Sequence, residues 1–190
     1  MKRIPPGIFT AKEATEYQLS RGNLAQMVAR GELVRLSRGI YAASKAHERT
    51  MPEITMLAKR GTNFVVALES ALYIHELTSA NPHRLWIAIK RGSRAPKIDI
   101  PLQIVRVDER TFDNGAEWHE IDDIKVRVYS AARTIADLFK FRNKVGMELA
   151  VSALKEGLKK RLFTVDELFK YAKLDRVDKI IMPYVEGYFG

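Results

Sequence analysis

The segment 20–30 carries side chains that can pair with the edges of nucleic acid bases. Asn and Gln can each form two hydrogen bonds to adenine, and Arg can form two to guanine or bind a phosphate. Asn23, Gln26 and Arg30 fall on one face of a helix at its repeat of 3.6 residues, and Arg21 lies in the first turn. The spacing predicts that Arg21, Asn23 and Gln26 read bases. Arg30 is expected to contact a phosphate, and the alternative is a polar face that is only solvated.

A second polar set follows at a predicted β-hairpin. Two β-prone runs, 33–36 and 40–43, flank a turn that contains Gly39. Arg35, Ser37 and Arg38 lie at this hairpin. We expect these three side chains to contact the DNA backbone or minor groove beside the base-reading face.

Two short helices must position these side chains. Thr10 and Glu13 have the spacing of a capping box, which predicts a helix over 11–17. Ser20 is expected to cap a second helix over 21–30, and Gly31 to end it. Its apolar stripe should pack inward and consists of Leu24, Met27 and Val28. Helix, turn, helix and hairpin in this order predict a winged helix-turn-helix.

The rest of the chain predicts a larger mixed α/β domain that ends in helices. The polar segment 44–52 is typical of a linker, so we expect a DNA-binding domain over 1–46 and an α/β domain over 53–190. Arg133 and Asp137 have i, i+4 spacing and are expected to pair along a helix that Ser130 caps. No element is assigned to 176–190. Helices are expected over 53–60, 70–76, 131–139, 147–159 and 165–173, and strands over 85–89, 102–107 and 125–129.

The composition predicts a soluble protein that attracts polyanions. The 190 residues include 32 Lys and Arg against 23 Asp and Glu, a net charge of +9. Residues 1–50 are the denser polycation, with nine cationic and four anionic side chains. The absence of cysteine excludes disulfides and thiol catalysis. No apolar run approaches the roughly 20 residues of a membrane helix, and no secretory signal is apparent, so we expect a cytoplasmic protein without a membrane partner.

The sequence gives little support to catalysis. Asp123 and Lys125, with Asp113 and Asp122 nearby, have the acidic-x-Lys pattern of metal-dependent nucleases, but acidic residues beside a turn are commonly only solvated. The histidines lack metal-ligand spacing, and neither a phosphate-binding loop nor a nucleophile elbow is present. We therefore expect no enzyme, no cofactor and no metal.

A basic cluster lies near the end of a predicted helix in the second domain. Its members are Lys155, Lys159, Lys160 and Arg161. Cations suit the negative end of a helix dipole, so a solvated face explains them. The alternative is a second surface that binds polyanions or contributes to antitoxicity.

Four segments resemble one family of bacterial regulators. Residues 9–14 and 24–41 are similar to the N-terminal winged helix of the AbiEi-type antitoxins, which belong to type IV toxin–antitoxin and abortive-infection systems. Residues 67–75 and 128–139 continue the resemblance in the second domain. Winged helices normally have a helix before the capping-box helix, and only eight residues precede Phe9. Either the helix over 53–60 packs in its place, or the module is trimmed.

The resemblance implies a division of labour. The N-terminal domain would bind an inverted repeat in double-stranded DNA at its own promoter, as a homodimer on the DNA, and repress the operon. The C-terminal domain would counteract a nucleotidyltransferase-like toxin without forming a stable complex with it. The alternative is a one-component transcription regulator whose C-terminal domain senses a ligand; a metal-dependent nuclease is a further alternative.

Overall fold

The computed structural model describes residues 4–43, 51–121 and 124–190, and it has the mixed α/β architecture that the sequence predicts. The elements within the described residues, in chain order, are β1 (Ile8–Thr10), α1 (Ala11–Glu16), α2 (Arg21–Ala29), β2 (Leu33–Ser37), β3 (Ile40–Ala43), α3 (Pro52–Lys59), β4 (Val65–Val66), α4 (Leu68–Ile74), β5 (Leu85–Lys90), β6 (Leu102–Val107), α5 (Glu109–Phe112), β7 (Ala116–Ile121), β8 (Ile124–Tyr129), α6 (Ala131–Lys140), α7 (Arg142–Val145), α8 (Met147–Lys159), α9 (Val165–Leu174) and α10 (Asp178–Phe189).

The chain forms two compact units. The first contains the described residues of 1–63, 94–100 and 120–126, and the second contains 64–93, 101–119 and 127–190. The expected domain limits, 1–46 and 53–190, stay a prediction. None of the described helices has both the length and the apolar run that crossing a bilayer requires.

The first unit is a winged helix-turn-helix. Strand β3 lies between β1 and β2 and pairs antiparallel with both, so β2 and β3 form the predicted hairpin. Helices α1 and α2 precede the hairpin, and α2 packs on β2. Their shared apolar core consists of Phe9, Ala14, Leu19, Leu24, Met27 and Leu33.

Helix α3 belongs to the first unit and packs on the other part of its sheet. Met56 lies in a buried cluster with Ile8, Ile40 and Ala42. Lys59, at the end of the same helix, forms an ion pair with Glu13 of α1. Of the two arrangements expected from the sequence, the structure therefore has the first, in which the helix after the wing completes the module.

A five-stranded mixed sheet has the order β6-β5-β4-β8-β7, and it belongs to the second unit except for the described residues of 120–126 in β7 and β8. Strand β4 pairs antiparallel with β5 and parallel with β8, and β5 pairs parallel with β6. Helix α6 packs against α4, α8 and α9 and is buried over all of 131–139. The main core surrounds this helix, so the side chains at its carboxyl end are held in fixed positions.

Candidate nucleic-acid interface

Capping contacts define both ends of α2. The Ser20 hydroxyl accepts a hydrogen bond from the Asn23 amide at 3.2 Å. The Asn23 side-chain oxygen accepts from the Ser20 amide at 3.1 Å and from its hydroxyl at 3.0 Å. At the other end Gly31 has φ +72°, a left-handed conformation that favours glycine, and the Glu32 amide reaches back to the Met27 carbonyl. These contacts limit α2 to the nine residues Arg21–Ala29.

The two faces of α2 differ as the spacing predicts. Leu24 and Met27 are buried in the core of the unit, and Val28 packs against them. The opposite face is exposed and consists of Arg21, Gly22, Ala25, Gln26, Ala29 and Arg30. The small side chains on this face leave room for close approach to a groove. An exposed alanine is also a side chain that can pack against the methyl group of thymine.

Asn23 occupies a different environment from its neighbours. Its side chain is half-buried, and its oxygen is engaged with Ser20 in the helix cap. Two hydrogen bonds to adenine require both the oxygen and the amide nitrogen of an asparagine. Base reading by Asn23 therefore stays a prediction, and it requires the cap to rearrange.

The wing places its three predicted residues unequally. Arg35 and Arg38 are exposed, and Arg38 lies in the turn beside Gly39, whose φ is +77°. Ser37 is buried, and its hydroxyl accepts a long hydrogen bond of 3.5 Å from Arg60. The two arginines are therefore better placed than Ser37 to contact DNA directly. The DNA-binding roles of all three residues stay predictions.

A basic groove borders the wing. It has a volume of about 780 Å³ and is lined by Arg35, Leu36, Ser37, Arg38, Arg60, Lys97, Ile98 and Asp99. This wing groove holds four cationic side chains against one carboxylate. Arg60 also donates to the Arg38 carbonyl at 2.6 Å, which holds its guanidinium against the turn.

Sequence reasoning missed Arg60 and Lys97. Both lie far along the chain from the hairpin, and Lys97 belongs to the returning segment 94–100 of the first unit. Local spacing carries no signal for such a meeting. In the sequence, only one feature indicates that Arg60 lies near the hairpin. Arg60 directly follows a helix that was one candidate to complete the winged helix.

Two acidic residues of the first unit, Glu13 and Glu32, have cationic partners. Burial alone would raise the pKa of the Glu13 carboxyl, but hydrogen bonds from Lys59 and Thr10 outweigh it and hold the pKa below its usual value. Glu13 is therefore charged but paired. Glu32 lies 4.0 Å from Arg30, and both side chains are exposed. Because such a pair is weak, Arg30 can leave Glu32 and bind a phosphate instead.

The C-terminal basic cluster is brought together at the end of α8. Lys155, Lys159, Lys160 and Arg161 are all exposed. Lys160 donates to the Glu76 carbonyl at 2.6 Å and lies 3.7 Å from Glu156, and Lys159 lies 3.8 Å from the same carboxylate. Local partners therefore account for part of this charge, and a binding role for the cluster stays a prediction.

Only some of the residues named for a metal-dependent nuclease lie within the described residues. Asp122 and Asp123 lie outside the described residues, and Asp113 forms an ion pair with Arg127. Within the described ranges no group of three or more His, Asp or Glu side chains could hold a metal ion.

Comparison with known proteins bears on the first unit. No curated protein matches the chain. Residues 5–44, which run from the segment before β1 to the end of the wing, match the family model described as transcriptional regulator, AbiEi antitoxin. The resemblance of residues 9–14 and 24–41 is therefore confirmed: over residues 5–44 the chain is similar to the AbiEi antitoxin transcriptional regulators. The resemblance expected at residues 67–75 and 128–139 stays a prediction.

Proposed function

We propose that this chain is a DNA-binding transcriptional repressor and antitoxin of a type IV toxin–antitoxin system, and not an enzyme. The first unit binds an inverted repeat at the promoter of its own operon, one copy on each half-site. The second unit counteracts a nucleotidyltransferase-like toxin. The observation that supports DNA binding is the exposed face of α2, with Arg21, Gln26 and small side chains, in the same unit as the wing groove.

In the proposed complex α2 lies in the major groove and the wing follows the backbone. The N-terminal part of the second helix of a helix-turn-helix reads bases, which assigns this role to Arg21 and Gln26. Arg30, at the far end of the helix, contacts a phosphate. Arg35 and Arg38 bind the neighbouring backbone or minor groove, and we add Arg60 and Lys97 as phosphate contacts through the wing groove.

Binding of promoter DNA to single variants tests the assignment. Gln26→Ala or Arg21→Ala should cost about 1–3 kcal/mol and relax the preference at one base position, because a base contact is lost. Arg38→Ala should weaken binding to all sequences alike, because phosphates carry no sequence information. Lys159→Ala, which removes an exposed cation of the second unit, is the matched control. Wild-type affinity in folded Gln26→Ala and Arg21→Ala would show that another face contacts DNA.

Growth tests separate the two proposed activities. Co-expression with the toxin encoded beside this gene should restore growth. Gln26→Ala should lose repression of the promoter and keep this rescue, because the proposed neutralisation uses the second unit. The type IV mechanism also predicts that antitoxin and toxin do not co-purify. Loss of rescue in folded Gln26→Ala would contradict the division of labour.

A ligand-sensing regulator is the second candidate, and one observation favours it. A cavity of about 510 Å³ lies at the carboxyl ends of β5 and β6 in the second unit. Failure of every adjacent gene product to be neutralised, together with DNA binding that a small molecule alters, would favour this sensor over the antitoxin.

A further inference from the structure

The cavity in the second unit, here called the strand-end cavity, lies where open α/β sheets commonly bind ligands. β5 and β6 are parallel neighbours, and their last residues pair as Lys90 with Val107. The cavity opens beyond these carboxyl ends, and the ends of α6 and α9 contribute to its wall. Loops at the carboxyl ends of parallel strands are free to diverge, which makes this edge of a sheet the usual ligand site. Its volume of about 510 Å³ is that of a small-molecule pocket.

Four cationic side chains line this cavity: Arg91, Arg106, Lys140 and Arg176. The two carboxylates in the wall already have partners. Asp108 caps α5 by accepting from the Arg110 amide at 3.0 Å. Asp175 lies 2.7 Å from the Lys140 ammonium. The cavity therefore has an excess of positive charge that an anionic ligand would balance.

A buried ion cluster lies behind the wall and shares Asp175 and Lys140 with it. Arg133 is fully buried and lies 3.2 Å from Asp137 and 3.4 Å from Asp175. Burial raises the pKa of the Asp137 carboxyl against the attraction of Arg133. Repulsion by Asp175, and a hydrogen bond that the protonated Asp137 carboxyl donates to it, raise this pKa further. A protonated Asp137 that shares its hydrogen with Asp175 accounts for two buried oxygens, one on each residue, that otherwise have no hydrogen-bond partner.

Arg176 occupies a backbone conformation that glycine would adopt with less strain. Its φ is +58°, and it follows the end of α9, where the Val177 amide returns to the Ala172 carbonyl. Glycine is the usual residue at this position of a helix end because it has no Cβ. The arginine here directs an exposed guanidinium to the cavity at a cost in backbone strain.

The remaining wall is apolar. Val107, Phe141 and Leu174 line the cavity, and Leu174 is exposed over 39% of its surface. A ligand that fits both the cationic and the apolar part of the wall carries phosphate groups at one end and a flat, largely apolar ring at the other. We propose that the strand-end cavity binds a nucleoside phosphate, with its phosphates among Arg91, Arg106 and Arg176 and its base against Phe141. This inference does not depend on the DNA interface of the first unit.

Isothermal titration of the full chain with ATP, with sodium pyrophosphate and with adenosine tests the proposal. ATP should bind saturably with one site per chain, and pyrophosphate and adenosine should each bind more weakly. Arg176→Gly should weaken ATP binding by about tenfold or more, because a charge-assisted contact is lost. Since glycine suits the positive φ, this variant should melt at the wild-type temperature or above it, which separates lost binding from lost folding.

Arg161→Gly is the matched control. Arg161 is also an exposed arginine at the left-handed end of a helix, with φ +54°, but it does not line the cavity. The Arg161→Gly variant should bind ATP as tightly as the wild type does. Phe141→Leu should weaken ATP binding and leave pyrophosphate binding unchanged.

Three results would overturn the proposal. The first is no saturable ATP binding by the wild type. The second is an equal loss of binding in Arg161→Gly and Arg176→Gly, which would indicate attraction by net charge alone. The third is pyrophosphate binding as tight as that of ATP, which would leave an anion site without a nucleoside.

Discussion

Arg133 has no exposed surface, although it is one of the most strongly hydrated side chain types. Its guanidinium lies 5.3 Å from the Tyr129 ring and 5.9 Å from the Tyr171 ring, and it faces Asp137 and Asp175. Removing one member of such a buried set typically costs about 3–5 kcal/mol, because a charge is left without a partner. The set is therefore a structural requirement of the second unit.

The sequence predicts two of the three charged residues of this set. The i, i+4 spacing of Arg133 and Asp137 predicts a pair along a helix, and an exposed pair of this kind contributes only about 0.2–0.5 kcal/mol. Asp175 is 42 residues further along the chain. No local pattern connects it to α6, so neither the burial of the arginine nor the second carboxylate follows from spacing.

Asp137→Asn tests the protonation of this set. The pKa of Asp137 is raised in the folded protein, so its proton stabilises the fold fully below the ordinary Asp pKa of about 4, and this contribution is lost as the pH rises through the raised value. Asparagine keeps the hydrogen-bonding shape without a titrating proton. The free energy of unfolding, measured with urea from pH 4 upward, should therefore fall less steeply in the variant than in the wild type. Parallel pH profiles would assign the wild-type slope to other groups.

At the scale of elements, helix caps are the most predictable features. Thr10 with Glu13 forms the capping box that the spacing predicts, and Thr164 with Glu167, which have the same spacing, form another. Ser20 also caps α2, but its reciprocal partner is Asn23 rather than a Glu or Gln. A cap depends on residues three apart, which is why a single sequence determines it.

Elements that depend on distant partners were not predicted. β1 is only three residues long, too short to show an alternation, and it forms because β3 offers an edge. β7 spans Ala116–Ile121, and the charged residues of this segment obscure the pattern of apolar residues that would predict a strand. α10 contains Pro183, which normally argues against a helix interior. Tertiary packing decides these three cases.

Ser20→Ala tests how the cap of α2 serves the interface. It removes the acceptor for the Asn23 amide and the hydroxyl that bonds the Asn23 oxygen, so the full chain should lose about 1 kcal/mol of unfolding free energy. Binding to the operator should weaken more than binding to unrelated DNA, because the start of α2 carries Arg21, which we propose reads a base. Thr164→Ala, which removes the corresponding cap of α9 in the second unit, is a suitable control and should leave DNA binding unchanged. Equal DNA affinity in Ser20→Ala and the wild type would indicate that the first turn of α2 does not approach DNA.

At the scale of the whole molecule, two exposed groups of cations, besides those of the strand-end cavity, could attract DNA. One is the exposed side of the first unit, where the wing groove gathers Arg35, Arg38, Arg60 and Lys97. The other is the end of α8, where Glu156 partly balances the lysines. Composition indicates an affinity for polyanions but not which place provides it, because only folding joins Arg60 and Lys97 to the hairpin.

The salt dependence of DNA binding distinguishes these two places. Each phosphate that a protein cation neutralises releases condensed counterions and contributes about 0.9 to the slope of log affinity against log salt. Five phosphate contacts, from Arg30, Arg35, Arg38, Arg60 and Lys97, predict a slope of about −4 to −5 for each bound copy. Arg38→Ala should reduce its magnitude by about one unit.

Two further variants make this measurement specific to the proposed interface. Gln26→Ala should lower affinity for the operator while keeping the wild-type salt slope, since a glutamine releases no counterion. Lys159→Ala should change neither affinity nor slope, although it removes the same charge as Arg38→Ala. If Lys159→Ala instead flattens the slope and Arg38→Ala does not, the polyanion is held at the end of α8. The wing would then have no part in binding, because counterion release reports only those cations that lie against the phosphates.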